Sequence, residues 1–524
     1  MVMRGRVVSW GAVSLCSVIA TVIATGLMSA CGSDDASGGG DSPDGAPDGG
    51  ASADAATESA ADAQSDAGLL EHGGSRLKRI GVTAGDGTFI PIATSGIHDT
   101  MLDTGCSFDR AQDGSFRCVP IGEASVGEWF ADDQCTTLVA SGPKVPCRTP
   151  KYGVYTKQIT NICDTQRTAY RLGAAITPAK IYVTDPLGAC VEQTPDTATT
   201  YYAIASTLAP SELVAVSESE LPLTPQLRGR FISGDDGSLF QQALYGDVAR
   251  AGKACTLNAA GDGKVRCTPR YLARAEGFSD MACGVPVALG SECVSPTAVF
   301  DDTTAGSTEI VTCSPFYPVK VHAFALGAKH ATKEYFSPTA MGTCMGPVTT
   351  AADVFDLGAE IPASSMLEIQ AGKIGASRVT ESTNVQGGVT ISHGGMLSDA
   401  MLGVRCTPET TSDAKVRCVP NDAPVFYFTD AACTVPVART EADCGGTLKY
   451  AMQRVRAVDG CIGPGGAESV KVYTVGAPIV PTPPLFLGTP ARCQSAGSPG
   501  PIKVYAVGPE IAPSTFAEVT PAMR

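Results

Sequence analysis

A chain of 524 residues with 53 acidic against 38 basic side chains, formally −15, and no basic stripe argues against a nucleic-acid partner. Its 58 glycines and 36 prolines interrupt the sequence too often for long helices. Its 20 cysteines point to export into an oxidising compartment.

The first thirty residues read as an export signal. Arg4 and Arg6 supply the positive start, an apolar stretch follows, and Ser29 and Ala30 precede Cys31. The run Leu27-Met28-Ser29-Ala30-Cys31 resembles a bacterial lipobox, with the leucine one place early and Met28 at its usual position. Residues 1–30 are then a lipoprotein signal peptide, and Cys31 is the lipidated N-terminus of the mature protein. Residues 7–30 are also long enough for an uncleaved anchor, but Ser, Thr and Gly dilute them. By resemblance to diderm lipoproteins, Gly32 in place of Asp implies the outer membrane, facing the periplasm or the cell surface. No other segment is long and apolar enough to span a bilayer.

Residues 31–74 form an acidic Gly/Ala/Asp tether. Positions 32–68 hold nine acidic residues and no Lys or Arg, too little apolar surface to offset the entropy of ordering. The tether is predicted to be disordered, with a reach on the order of 35 Å. Asp34, Asp35, Asp41, Asp44 and Asp48 match no rigid calcium loop.

Eighteen cysteines then fall into three sextets: Cys106, Cys118, Cys135, Cys147, Cys163 and Cys190; Cys255, Cys267, Cys283, Cys293, Cys313 and Cys344; Cys406, Cys418, Cys433, Cys444, Cys461 and Cys493. Cys16, the remaining one, belongs to the leader. The spacing divides the chain into repeats at 75–224, 225–371 and 372–524. Each repeat opens on a basic-hydrophobic strand running to a turn: Arg79-Ile80 to Asp86-Gly87, and Arg230-Phe231 to Asp236-Gly237. The third runs from Arg378-Val379 to Gly387-Gly388 without the Asp. A cysteine-bounded hairpin follows, turning at Asp113-Gly114, Asp262-Gly263 and Asp413-Ala414. Ala414 is expected to need a longer or type I turn. The returning strands read Arg117-Cys118-Val119-Pro120, Arg266-Cys267-Thr268-Pro269 and Arg417-Cys418-Val419-Pro420, with proline ending each.

Phe130-Ala131-Asp132, Phe278-Ser279-Asp280 and Phe428-Thr429-Asp430 precede the third cysteine of each sextet. No histidine or carboxylate stands at ligand spacing from these aspartates, so they read as turn-builders rather than metal ligands. An aromatic-x-aliphatic-Gly strand then occurs twice per repeat, as at Tyr170-Leu172-Gly173, Phe324-Leu326-Gly327, Phe355-Leu357-Gly358, Tyr473-Val475-Gly476 and Tyr505-Val507-Gly508. Tyr202-Ile204 carries Ala205 in place of the glycine. Alternation, β-branching and frequent turns predict an all-β fold. Two small sheets per repeat suggest a six-bladed β-propeller, with three tandem disulfide-rich β-domains as the alternative.

No Cys-x-x-Cys pair occurs, so disulfides rather than zinc account for the cysteines. Sequence proximity favours the pairs Cys106–Cys118, Cys135–Cys147, Cys163–Cys190, Cys255–Cys267, Cys283–Cys293, Cys313–Cys344, Cys406–Cys418, Cys433–Cys444 and Cys461–Cys493.

Catalytic signals are sparse. The five histidines, His72, His98, His322, His330 and His393, do not recur in register. No nucleophile elbow, zinc-protease helix, phosphate loop or dinucleotide fingerprint is present. No catalytic residue, metal or cofactor is implied. With Trp10 lost in the leader, Trp129 stands alone, too few platforms for typical sugar recognition. The reading is a lipid-anchored cell-envelope module that binds or scaffolds a protein partner or an envelope polymer. A hydrolase using acidic residues on the repeat face is the alternative.

The Asp-Gly-x-x-Arg-Cys-x-Pro, Phe-x-Asp-x-x-Cys and Tyr-x-Leu/Val-Gly motifs, spanning about residues 75–524, resemble uncharacterised cysteine-repeat lipoproteins of large-genome myxobacteria. The resemblance implies location and architecture and carries no activity.

Overall fold

The computed structural model describes residues 71–524 apart from 93–95, 145–148, 160–164, 186–187, 249–252, 271–272, 291–298, 302–320, 339–343, 387–388, 392–396, 421–424, 441–448, 457–466, 481–483, 489–492 and 498–502. Cys16, Cys31, Cys147, Cys163, Cys293, Cys313, Cys444, Cys461 and His393 lie outside the described residues. The described chain is all-β, its strands joined by turns and single-turn 3-10 helices.

In the first unit the strands are β1 (Leu77–Thr83), β2 (Phe89–Pro91), β3 (Ile97–Asp99), β4 (Thr104–Arg110) and β5 (Phe116–Pro120), followed by β6 (Ala124–Phe130), β7 (Leu138–Pro143), β8 (Tyr152–Gln158), β9 (Thr165–Ile176), β10 (Ile181–Thr184), β11 (Cys190–Gln193) and β12 (Thr199–Thr207). The first five form one sheet in the order β2-β1-β3-β4-β5. The rest form a second, in the order β11-β10-β6-β7-β12-β9-β8, closed on itself by a parallel β6–β8 pairing. The second unit repeats this plan, and its seven-stranded sheet closes through Ala273–Phe278 against Val299–Asp301. The third unit has sheets of six and seven strands in the matching order.

The units exchange strands. After the 3-10 turn Pro210–Glu212, the Cys118 N–H donates to the Val214 carbonyl at 3.1 Å. The chain continues as β13 (Val216–Pro222), which runs antiparallel to β14 (Leu227–Gly234), the first strand of the next unit. At the second joint Cys267 donates to Leu367, and Gln370–Ile374 pairs with Val379–Gln386. At the third, Cys418 donates to Ala517 and the final strand, Thr520–Met523, returns to β1, setting Met523 opposite Ile80. The linking strand that follows each unit thus adds to the unit after it, and the last closes a ring onto the first.

Each joint has its own core. At the first, Leu77, Ile97, Cys106 and Cys118 pack with Val214, Val216, Ile232 and Phe240. The second joins Leu227, Phe231, Tyr245, Cys255 and Cys267 to Ile369 and Ile391. The third joins Val379, Leu397, Cys406, Cys418, Ala517 and Val519 to Val82, Ala84 and Ile90. β1 serves two cores: Leu77 enters the first and Val82 the third, each fully buried. Among the described residues there are six sheets of two kinds, each of five to seven strands, unlike the open four-stranded blades of a propeller. Tandem β-units in a closed ring describe the molecule, and the propeller reading is set aside.

The hairpin bonds Cys106–Cys118, Cys255–Cys267 and Cys406–Cys418 are present. The other described bonds differ from the pairing by proximity. Cys135 bonds to Cys190, not Cys147; Cys283 to Cys344, not Cys293; and Cys433 to Cys493, not Cys444. Cys163, Cys313 and Cys461 therefore do not pair with Cys190, Cys344 and Cys493. The cause is sheet adjacency: β10 meets the end of β6 at Tyr182 opposite Phe130, carrying the β10–β11 hairpin and Cys190 to the turn that holds Cys135. The same docking sets Phe278 opposite Phe336 and Phe428 opposite Phe486.

The third hairpin keeps the length of its sisters. The Ala414 N–H donates to the Thr411 carbonyl at 2.9 Å, as Gly114 does to Ala111 and Gly263 to Ala260. Ala414 adopts the left-handed conformation, φ 60°, that glycine supplies in the other two. Of the two expected outcomes, a longer or a type I turn, the turn is not longer. Its central residues Ser412 and Asp413 keep negative φ as a type I turn requires, and Ala414 carries local backbone strain of about 1 kcal/mol.

The duplicated aromatic-x-aliphatic-Gly strands pair with each other. Leu172 faces Ile204, Leu326 faces Leu357 and Val475 faces Val507. In the second unit a Cβ on Gly327 would come within 2.8 Å of Asp356 Cβ, and one on Gly358 within 2.8 Å of the Ala325 carbonyl oxygen. Two glycines facing in this way let the backbones approach where the register shifts.

Candidate functional site

The recurring charged residues act on backbone. Arg117 Nη1 donates to the Leu213 carbonyl at 3.0 Å, Arg266 to Met366 at 2.7 Å and Arg417 to Phe516 at 2.9 Å. Each carbonyl lies where the 3-10 turn releases the linking strand. The hairpin aspartate aims the guanidinium: Asp262 Oδ2 accepts from Arg266 Nε and Nη2, and Asp413 Oδ2 from Arg417. These bonds hold both carboxyls below the usual carboxylate range. In the first unit Ser115 intervenes between Asp113 and Arg117.

The Phe-x-Asp aspartates build turns. Asp280 Oδ1 accepts the N–H groups of Gly284 and Val285, both at 2.8 Å, and Asp430 Oδ1 those of Thr434 and Val435 at 2.9 and 2.8 Å. Asp132 takes Gln134 and Thr136 in the same way. Cys135, Cys283 and Cys433, with φ near 50°, are held inside these loops. Among the described residues no group of three His, Cys, Asp or Glu side chains could hold a metal ion.

Two further aspartates tie units together. Asp86 Oδ2 accepts from the Ala376 and Ser377 N–H groups at 2.8 and 2.9 Å, across the third joint. Asp236 Oδ2 accepts from Arg76 and Leu77 at 3.1 and 2.6 Å, across the first. These are the Asp-Gly aspartates of the opening strands, and the third unit lacks one. Buried Asp99 and Asp399 anchor the same region, bound by Arg76 and Arg378, whose guanidinium groups also reach the Glu212 and Thr515 carbonyls.

The described histidines do not converge. His322 Nδ1 lies 2.7 Å from Glu360, His330 Nε2 2.7 Å from Asp356, and His98 3.5 Å from Asp103. His72 bridges Leu239 through its backbone.

At the third joint lies a cleft of about 460 Å³, bounded by β1, the Val404–Thr410 and Val416–Pro420 strands and the closing strand. Ile80, Val82, Ile92, Pro408, Val416 and Met523 contribute most of its apolar wall, with Glu409 and Thr410 as its polar side chains. Arg454 pairs with Glu409. The pairing registers show how this joint departs from the repeat. Ile80 opposite Met523 corresponds to Arg230 opposite Glu220 at the first joint and to Ser382 opposite Lys373 at the second. Sequence reasoning missed this site because no single residue in it is unusual. Aligning the outward positions of the linking strands, Glu220, Lys373 and Met523, supplies the signal.

Several disulfides place the chain in an oxidising, extracytoplasmic compartment. Among the described residues no helix is long and apolar enough to cross a membrane. No curated protein and no solved structure matches the chain. A family model does match, over residues 58–325. That span is just over half of the sequence and runs from the tether into the second unit, and on it the chain belongs to a family of unknown function, DUF7481.

Proposed function

We propose that the protein is a lipid-anchored binding and scaffold module of the bacterial cell envelope. Cys31 holds it to the outer membrane, and the acidic tether carries the ring away from the bilayer toward a protein partner. In this reading it stands with the cysteine-repeat lipoproteins whose motifs it resembles. The observation that carries the proposal is the use of the repeated residues. Arg117, Arg266 and Arg417 clamp the linking strands, and the aspartates before the third cysteines build turns. Triplication has multiplied groups that build a rigid closed body, which suits a presenting surface better than a catalytic centre.

The test has two arms. Mass spectrometry of the mature protein from membranes should find an acylated N-terminal Cys31, and C31S should leave the membrane fraction. Cross-linking in cells followed by affinity capture should return a stoichiometric envelope protein with wild type. Unmodified Cys31 would overturn the anchoring, and turnover of a hydrolase substrate lost on one acidic substitution would overturn the scaffold role.

A further inference from the structure

The three joint cores differ in one respect that bears on ligand binding. The first is packed with aromatic rings: Phe108 stacks on Phe240 at 6.0 Å between centroids, and Phe116 packs beside them. The second contains the rings of Phe231 and Tyr245. The third core, as described, contains none: its side chains are Val, Ala, Ile, Leu and disulfide cysteines. Pro408 and Val416 occupy the places of Phe108 and Phe116, and Ile90 that of Phe240, by matching cysteine and strand registers. This ring-free core opens into the cleft of about 460 Å³.

The rim changes in the same direction. At the first joint the outward positions carry Arg230 against Glu220, 3.3 Å apart, and Gln242 bonded to Glu218. Their counterparts at the third are Ile80, Met523, Ile92 and Pro521, all lining the cleft. Four polar side chains that close the first joint are thus replaced by four apolar ones around an opening. Met523 remains 53% exposed. An apolar concavity of this size, with few polar groups, suits a small organic ligand. The missing rings specify its character, since the first joint fills the equivalent volume with the phenyl groups of Phe108, Phe116 and Phe240, while the second places the smaller aliphatic Leu257, Val265 and Ile391 there.

We propose that the third joint is a binding site for a small, uncharged aromatic compound, whose ring takes the place that Phe108 and Phe116 occupy at the first joint. The ligand would seal the seam between the closing strand and β1, so occupancy also locks the ring. This deepens the binding-module reading by naming a ligand class. The two fail separately, because capture of a protein partner needs no occupied cleft and aryl binding needs no partner.

The probe is N-phenyl-1-naphthylamine, titrated into the folded chain and followed by its fluorescence. Wild type should bind saturably at one site, with a rise in Tm. The double substitution I80R/M523E installs the ion pair already present at the first joint and should weaken binding at least tenfold while the protein stays folded. A separate V416F variant installs the first unit's ring, and should abolish probe binding and raise Tm in the absence of probe. Absence of saturable binding to wild type would overturn the proposal. So would unchanged affinity in both variants; if the double variant fails to fold, V416F alone decides.

Discussion

Asp86 Oδ2 accepts the backbone N–H of Ala376 at 2.8 Å, a bond that joins the first unit to the third across 290 positions of sequence. Partial desolvation works against ionisation there, but the N–H groups of Thr88, Ala376 and Ser377 outweigh it and lower the carboxyl to about 2. A carboxyl depressed on folding contributes its stability in full above the ordinary carboxylate range and loses it as pH falls through the folded value. The third joint should therefore loosen between about pH 4 and pH 2. Asp86→Ala should lower stability at neutral pH by about 1–2 kcal/mol and flatten that acid transition, read by chemical denaturation at a series of pH values.

Arg266 is largely buried and satisfies the Met366 carbonyl where the second linking strand departs. Arg266→Ala leaves that carbonyl unpaired and frees Asp262, and should cost about 2 kcal/mol. Hydrogen exchange should show the loss concentrated in Gln370–Ile374 and its partner Val379–Gln386. A uniform loss across all three joints would contradict the local clamp.

Ala414 sits at φ 60° where Gly114 and Gly263 serve its sisters. Ala414→Gly should stabilise the third hairpin by about 1 kcal/mol, because glycine relieves the left-handed strain. Thermal unfolding of the variant beside wild type measures this directly.

Non-reducing peptide mapping should recover Cys135 joined to Cys190, Cys283 to Cys344 and Cys433 to Cys493. Each bond closes a loop of 55 to 61 residues, so the chain-entropy model assigns it about 4 kcal/mol, against about 3 for the 12-residue hairpin bonds. Replacing the partly buried Cys135 and Cys190 together by serine should cost about 4 kcal/mol, as read from denaturation midpoints.

Strand type and repeat length were legible because alternation and Asp-Gly turns are local. The hairpins at Asp113-Gly114 and Asp262-Gly263 follow from residues a few positions apart. The targets of Arg117, Arg266 and Arg417 were not legible, since each carbonyl lies 96 to 100 positions away. Pairing of Cys135 failed for a related reason: distance along the chain favours Cys147, whereas the docking of β10 on β6 decides for Cys190. The candidate cleft was hidden differently. Met523 or Pro408 alone is an ordinary residue, and only the strand registers show that its counterparts are Glu220 and Phe108.

The exchange of linking strands has a consequence for how such a protein can be assembled. One unit running from β1 through β13 carries a donor strand at one end and an empty acceptor edge at the other. It cannot satisfy itself, but copies of it can satisfy one another head to tail, and the geometry of the ring closes after three. A single repeat expressed alone should therefore associate head to tail, and a trimer in analytical ultracentrifugation is the expected outcome. Three joints within one chain can each carry different residues, which a homotrimer of identical units does not permit.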